Sequence, residues 1–164
     1  MPEQSLQEKY APNSTCYGCG PANPKGLHVK SFVQGEQVVA KWIPEKYHEA
    51  FVGFLSGGII GTLLDCHSNW AAAWFMKKYL DLDYFPDSVT AKYSVTLKRP
   101  TPTNKGEIEL VAKSFMPGKI RDYDSVEVES ELKAGGNVCA VFNGTFIRIE
   151  NPDHPAYGRW SGRK

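Results

Sequence analysis

The stretch Phe54-Leu-Ser-Gly-Gly-Ile-Ile-Gly-Thr-Leu-Leu-Asp-Cys-His-Ser-Asn-Trp-Ala-Ala-Ala-Trp-Phe-Met76 decides the fold of this chain. It opens with Gly57 and Gly58, contains no proline, and stays largely apolar for roughly four helical turns before Lys77. Such a segment predicts a long α-helix that is buried on most sides. The polar side chains within residues 65–69 disfavour a membrane span, because a bilayer core penalises them.

Asp65 is the acidic residue that this predicted helix has to accommodate. At helical spacing it shares a stripe with small or polar residues, whereas the opposite side is apolar. The stripe consists of Gly58, Gly61, Thr62, Ser68, Asn69 and Ala72. Because an unpaired buried carboxylate is unfavourable, Asp65 either has a structural partner or faces a cleft and takes part in chemistry. The helix pattern leaves both interpretations open.

Composition restricts the class of protein. The chain has 164 residues and a net charge of +1 with acids and bases well mixed, so it offers no electrostatic basis for nucleic-acid binding. The first seven residues lack the basic start and apolar core of a signal peptide. With four cysteines that do not form a secreted disulfide framework, we expect a cytoplasmic protein that does not bind membranes.

One domain is expected, flanked by two polar ends. Residues 1–18 are predicted to be a polar segment, mobile or only lightly docked in its first fifteen residues. Residues 19–150 are predicted to form the domain, and residues 151–164 a tail without periodicity in which Arg159, Arg163 and Lys164 are free.

Two cysteines near the N-terminus have the spacing of metal ligands. Cys16 and Cys19 form a C-x-x-C pair in a segment rich in glycine and proline. A structural zinc site needs four ligands, and no second pair of this kind follows, so the sequence predicts no metal site and no cofactor. Whether this pair binds a metal stays open at this stage. Cys66 is predicted to lie in the core.

The other segments predict strands in the order β-β-α-β-β-β-β. Residues 89–97 alternate apolar and polar side chains, which is typical of a half-buried strand. Turns are predicted at residues 34–36, at Pro117-Gly118 and at residues 134–137. The predicted strands are 27–33, 37–43, 89–97, 107–115, 120–133 and 138–149. An α+β fold follows, with an antiparallel sheet of about six strands wrapped around one long helix.

These features resemble the hotdog-fold acyl-CoA thioesterases of the PaaI-like branch. Residues 53–65, Gly-Phe-Leu-Ser-Gly-Gly-Ile-Ile-Gly-Thr-Leu-Leu-Asp, resemble that family's G-x-x-H-G-G-x-x-x-x-x-x-D motif. Residues 19–27 resemble the entry to its first strand, and residues 90–100 resemble the strand after its helix. The order of elements is also that of the fold, and together these matches cover residues 19 to about 149.

The resemblance implies hydrolysis of an acyl-coenzyme A thioester. It assigns Gly57 at the helix N-terminus to polarising the carbonyl, Asp65 to acting as base or nucleophile, and Thr90 to placing water. The chemistry agrees, because free N–H groups at a helix N-terminus stabilise an oxyanion and a carboxylate can take a proton from water. Ser56 and Gly58 are the neighbouring candidates for substrate binding.

Two positions depart from the family pattern. Ser56 replaces the histidine of the motif, and Ala50 replaces an asparagine found in many members. These departures keep a second hypothesis open, a non-catalytic acyl-CoA binding or sensing protein on the same fold. A hotdog hydratase is disfavoured, because Trp70 stands where the five-residue spacing from Asp65 requires a histidine.

The remaining candidates concern substrate contacts and assembly. His48 is a candidate replacement for a lost polar contact, and Lys98 and Arg99 are candidate ligands for coenzyme A phosphates. Eight residues of helix separate Gly57 from Asp65, about 12 Å along the axis, which is too far for both to act on one carbonyl. We therefore expect a homodimer with sites shared between chains, and the resemblance agrees, allowing a dimer of dimers.

Overall fold

The structure is a computed structural model that describes residues 3–164, except for the side chain of Ser114. Within these described residues, two α-helices and eight strands follow one another, with a short 3₁₀ helix at Lys46–His48. The elements are α1 Leu6–Tyr10, β1 Ser31–Gln34, β2 Gln37–Trp42, β3 Glu49–Phe51, β4 Phe54–Leu55, α2 Gly57–Tyr79, β5 Ser88–Leu97, β6 Ile108–Ile120, β7 Tyr123–Ala134 and β8 Asn137–Arg148.

Six of the strands form one antiparallel sheet, and the long helix packs on it. The strand order is β1-β2-β6-β7-β8-β5, so β1 and β5 are the two edges, while β3 and β4 pair separately. This arrangement confirms the predicted α+β hotdog architecture. In the described part of the chain, no helix is both long and apolar enough to cross a membrane.

The core lies between α2 and the sheet. Trp70, Leu63 and Leu64 of the helix are almost completely buried, and Phe142 and Phe146 of β8 are buried against them. Ser68 is also buried on this side, where its hydroxyl forms a hydrogen bond of 2.7 Å with Ser130 of β7. The predicted small stripe is therefore divided by burial, since Ser68 and Ala72 are buried, Gly58 is exposed, and Gly61 and Asp65 are half-buried.

The predicted turn at Pro117-Gly118 is wrong. Both residues lie inside β6 and pair with Val126 and Ser125 of β7, and the turn comes later, at Arg121, whose φ is 54°. Strand β2 ends its pairing with β6 at Ala112, so the later part of β6 has a neighbour on one side only. A proline, which lacks an N–H donor, is tolerated at such an open side.

Strand β5 is formed as predicted but not buried as predicted. A register shift between Thr90 and Lys92 interrupts its pairing with β8, and residues 91–94 are exposed. Tyr93 is 50% exposed and Leu97 57% exposed. The alternation of apolar residues therefore does not produce a half-buried face within the single chain.

Residues 5–11 of the N-terminal segment pack against the sheet, which is a closer attachment than the light docking predicted for them. Ser5 caps α1 through a reciprocal hydrogen-bonded pair with Glu8. Gln7 is buried, and its side-chain amide donates to Ser31 Oγ at 3.0 Å and accepts from the Ser31 N–H at 2.8 Å. These bonds attach the start of the chain to the first strand of the sheet.

The C-terminal tail is attached through a buried carboxylate. Asp87 accepts hydrogen bonds from the N–H groups of Gly158 and Ser161 and from the Ser161 hydroxyl. Trp160 stacks on Trp70 of α2 with ring centroids 4.1 Å apart. The tail therefore covers one side of the helix.

His67 connects α2 to the two outermost strands on one side of the sheet. Its Nε2 lies 3.0 Å from the Val38 carbonyl oxygen and its Nδ1 lies 2.9 Å from Ser31 Oγ. A neutral ring protonated on Nε2 satisfies both contacts, because the Ser31 hydroxyl can donate to Nδ1. The ring is completely buried, and this burial lowers its pKa from 6.5 to about 4.

We expect this histidine to make the fold sensitive to mild acid. The folded protein keeps His67 neutral while the unfolded chain binds a proton below about pH 6.5, so stability present above that pH is lost as the pH falls toward 4. The pKa difference corresponds to about 3 kcal/mol of unfolding free energy. Urea unfolding from pH 7 to pH 4 should show this loss in wild type and in His154→Gln. A His67→Gln variant with the wild-type pH dependence would contradict the assignment.

Candidate functional site

The central contact of the candidate site joins α2 to β5. The Thr90 hydroxyl donates a hydrogen bond of 2.8 Å to Oδ1 of Asp65. Both residues are half-buried and line a cleft of about 210 Å³. The structure thus brings together two of the three residues predicted to be catalytic, and it gives Asp65 a partner while leaving the carboxylate at a cavity.

The environment of Asp65 changes its acidity. Burial raises the pKa of its carboxyl above the ordinary value, the hydrogen bond from Thr90 opposes this rise, and negative charge on Cys16 adds to it. A carboxylate with a raised pKa is a stronger base than one in water. Within this cleft Asp65 is suited to accepting a proton from a neighbouring water molecule.

The third predicted residue, Gly57, begins α2. Ser56 is the N-cap and its side chain makes no capping bond within the described residues, although its N–H donates to the His48 carbonyl at 3.0 Å. Gly57 and Gly58 are exposed, and a Cβ added at Gly57 would have only Leu97 Cδ1 nearby, at 3.8 Å. The first N–H groups of a helix lack carbonyl partners within it, so this end can accept an oxyanion.

The two halves of the candidate site lie at opposite ends of one strand. Gly57 is next to Leu97, Gly61 is next to Tyr93, and Asp65 bonds Thr90, so β5 runs antiparallel to α2 along its exposed stripe. The helix rise over eight residues places Gly57 and Asp65 about 12 Å apart. A single chain therefore does not place the helix N-terminus and the carboxylate on the same reacting carbon.

The predicted substrate-binding residues lie at the Gly57 end. Lys98 and Arg99 are exposed directly after β5, where both N–H groups donate to the Cys139 carbonyl. His48 is held by its own loop, since Nδ1 accepts from the Glu45 N–H at 2.9 Å and the ring contacts Trp42 at a centroid distance of 4.8 Å. Burial lowers the pKa of His48.

Three cysteines lie close together at the Asp65 end, whereas the sequence pattern had indicated only the pair Cys16 and Cys19. Cys66 is half-buried rather than fully in the core, and its Sγ is 3.8 Å from Sγ of Cys16. The sulfur atoms of Cys16, Cys19 and Cys66 all lie within 4.8 Å of one another. Hydrogen bonds from the other two thiols lower the pKa of Cys16, and the same interaction with Cys16 raises the pKa of Cys66.

Sequence reasoning missed the contribution of the tail to this cleft. Arg159 and Trp160 line it together with Asn69. Arg159 was expected to be free, yet it donates to the Ser88 carbonyl at 3.0 Å and lies over the Trp160 ring. Arg163 is likewise engaged, donating to the Ile149 carbonyl at 3.0 Å. The available signal was Trp160 itself, a large apolar side chain in an otherwise polar tail.

Solved structures provide the comparison with known proteins, since no protein-family model and no curated protein matches the chain. A thioesterase from Haemophilus influenzae matches 79% of this chain and 83% of its own at 17% identity, with a TM-score of 0.58. A protein from Bacillus halodurans, solved with CoA, matches 76% of each chain at 16% identity, with a TM-score of 0.56. At these identities the likeness concerns the fold.

A third match is similar in sequence as well. The thioesterase superfamily protein from Shewanella loihica PV-4 is 31% identical, the match covers 84% of this chain and 96% of that chain, and the TM-score is 0.61. An identity of this size over most of both chains, together with the long helix on an antiparallel sheet, shows common descent. The chain therefore belongs to the thioesterase superfamily and has the hotdog fold.

Proposed function

We propose that this protein hydrolyses the thioester bond of an acyl-coenzyme A. The observation that carries the proposal is the hydrogen bond of 2.8 Å from Thr90 to Asp65 at the wall of a cleft. It fixes the orientation of a carboxylate whose pKa is raised by burial. Membership of the thioesterase superfamily supports the reaction class. The bound CoA of the Bacillus halodurans protein supports the choice of thiol.

The reaction needs a base and an oxyanion site. In the proposed step Asp65 takes a proton from water while the hydroxyl oxygen bonds to the thioester carbon. The carbonyl oxygen becomes an oxyanion held by the N–H groups at the start of α2, each of which can contribute roughly 10² to 10³ in rate. Collapse breaks the carbon–sulfur bond, and the coenzyme A thiolate takes the proton from Asp65. Direct attack by the carboxylate is the other route that this geometry allows.

We further propose that each site combines residues of two chains. The separation of about 12 Å between Gly57 and Asp65 exceeds the 3–3.5 Å required between reacting atoms. A two-fold axis with antiparallel α2 helices would place the Gly57 end of one chain beside Asp65 and Thr90 of the other. Strand β5 supports this arrangement, because it is an edge strand with exposed Tyr93 and Leu97, and such edges are normally covered.

Replacing Asp65 should abolish turnover without unfolding the protein. Asp65→Asn keeps an acceptor for the Thr90 hydroxyl but removes the base, so kcat should fall by about 10² or more. The measurement is release of free thiol from a panel of acyl-CoAs, read with a thiol dye, together with the melting temperature. The melting temperature should stay within a few degrees of wild type.

The matched control is Asp83→Asn, which removes an exposed acid from the loop after α2. It should leave kcat unchanged. Wild-type turnover in Asp65→Asn would remove the carboxylate from the mechanism. If wild type binds acyl-CoA and releases no thiol above background, the alternative function, an acyl-CoA binding or sensing protein, takes precedence.

Mixed dimers should recover activity from two inactive chains. We expect Gly57→Phe chains to fold, because a Cβ there would be in ordinary van der Waals contact with Leu97 Cδ1 at 3.8 Å, yet the ring would obstruct the oxyanion site. In a dimer of one Gly57→Phe chain and one Asp65→Asn chain, one site has both defects and the other has neither. An equimolar mixture should therefore regain about one quarter of wild-type activity, since half of the dimers are mixed and each has one intact site.

The two chains should carry different affinity tags, so that mixed dimers can also be purified; because each has one intact site of two, the purified mixed dimers should have about half of wild-type activity. Each variant alone, refolded in the same way, is the control and should stay inactive. A fully active monomer in sedimentation, or verified mixed dimers without activity, would exclude a shared site.

The affinity for acyl-CoA should depend on the two cationic side chains that follow β5, because they would bind the coenzyme A phosphates. Lys98 and Arg99 are exposed at the Gly57 end, so a Lys98→Gln/Arg99→Gln variant should bind acyl-CoA roughly fivefold to thirtyfold more weakly, at about 0.5–1 kcal/mol per charge. Calorimetry in the Asp65→Asn background avoids turnover during the titration. Lys41→Gln/Lys133→Gln on β2 and β7 is the charge-matched control. Affinity that neither salt nor the Lys98/Arg99 change affects would place the phosphates elsewhere.

A further inference from the structure

We propose that Cys16, Cys19 and Cys66 form a binding site for one thiophilic divalent cation of the Zn²⁺ class. Two of the residues come from the N-terminal loop and the third from the middle of α2. The fourth cysteine, Cys139, lies in β8, outside this group. The proposal is independent of the proposed hydrolysis, because it rests on a different set of side chains.

The sulfur positions agree with tetrahedral coordination. A Zn–S bond of about 2.3 Å in a tetrahedron places two sulfur ligands about 3.8 Å apart. The observed distance between Sγ of Cys16 and Sγ of Cys66 is 3.8 Å, and all three sulfur atoms lie within 4.8 Å of one another. A disulfide needs about 2.05 Å between its sulfur atoms, so the arrangement suits a shared cation better than a covalent bond.

The loop is shaped to bring its cysteines onto the helix. A Cβ at Gly18 would overlap Cys66 Sγ, and one at Gly20 would overlap the backbone of Cys16, so side chains at either position would push the loop away. The Gly20 N–H donates to the Cys16 carbonyl at 2.8 Å and closes the turn. This close approach needs an explanation beyond packing, since Cys16 is exposed and adds little to the core.

The sulfur of Cys19 accepts a hydrogen bond of the kind that stabilises metal-bound thiolates. The Trp70 indole N–H donates to Cys19 Sγ at 3.2 Å. Cys19 is buried, and a donor of this kind stabilises negative charge on its sulfur and fixes its orientation. Trp70 is held in turn by stacking on Trp160, so the position of this donor is fixed by the core.

The fourth coordination position opens into the cleft. The three cysteines line the same cavity of about 210 Å³ as Asp65 and Thr90. A site with three protein ligands and an open position takes water or a donor atom of a ligand as the fourth. A cation held here would lie beside the candidate base, because Cys66 directly follows Asp65 in α2.

The experiment measures metal content and coordination directly. The full chain is purified under reducing conditions, without chelator and without a histidine tag, and metals are quantified by mass spectrometry. We expect about one Zn²⁺ per chain. After removal by a chelator, titration with Co²⁺ should give the intense thiolate charge-transfer and ligand-field absorption of tetrahedral Co²⁺, saturating at one equivalent. Removal should also lower the melting temperature, because metal binding stabilises the folded state.

Single replacements assign the ligands. Cys16→Ser is the first variant, since Cys16 is exposed and its loss should not disturb the core. Cys66→Ser is the second. Both should reduce bound metal at least tenfold and abolish the Co²⁺ spectrum at one equivalent. Cys139→Ser is the matched control, a buried cysteine outside the trio, and it should keep wild-type metal content.

Three results would overturn the proposal. The first is a reduced wild-type protein, shown by thiol titration to have all four thiols free, that binds neither Zn²⁺ nor Co²⁺. The second is unchanged metal content in folded Cys16→Ser and Cys66→Ser. The third is a protein that is two hydrogens lighter with a disulfide mapped within the trio, and that binds no metal after reduction. This last result would identify a redox pair instead.

Discussion

The packing of α2 against one face of the sheet determines where the groups of the candidate site lie. The side of α2 that packs against the sheet is formed by large apolar residues and by Ser68 and His67. The stripe of Gly58, Gly61 and Asp65 is not fully buried, since Gly58 is exposed and Gly61 and Asp65, which lie beside β5, are half-buried. The hydrogen bonds of His67 fix the rotation of the helix, and through it the direction of the Asp65 stripe.

Strand β5 lies along this stripe of α2, and the two elements together line the cleft. Because it runs antiparallel to α2, its first residues meet Asp65 and its last residues meet the helix N-terminus. The Thr90 hydroxyl satisfies one oxygen of a carboxylate that would otherwise be costly to bury, while burial still raises the pKa of that carboxyl. A polar group with one bond to the protein and one side at a cavity is the state expected of a reactive residue and not of a structural ion pair.

The structural features that were predicted correctly from the sequence are those that depend on local periodicity. The long helix, the six main strands and the position of Asp65 follow from spacing along the chain, because helix and strand periods are set by the backbone. The wrong prediction at Pro117 arose because a proline indicates a turn unless its strand has an open side, and that openness depends on where β2 ends. Cys66 was assigned to the core from its place in an apolar helix; its contact with Cys16 could not be predicted from local periodicity, because it joins residues fifty positions apart. The exposed face of β5 likewise depends on which strands lie beside it.

The main departure from the family motif, Ser56 in place of histidine, lies at the start of α2. Ser56 stands where the family has histidine, and its N–H is bonded to the His48 carbonyl while its hydroxyl makes no capping bond among the described residues. That hydroxyl remains available beside the first N–H groups of α2. The His48 ring is held by the Glu45 N–H and by contact with Trp42, and its role as a replacement for a lost polar contact stays a prediction. Because the oxyanion donors that we propose are backbone N–H groups at the start of α2, replacement of the histidine side chain leaves these donors in place.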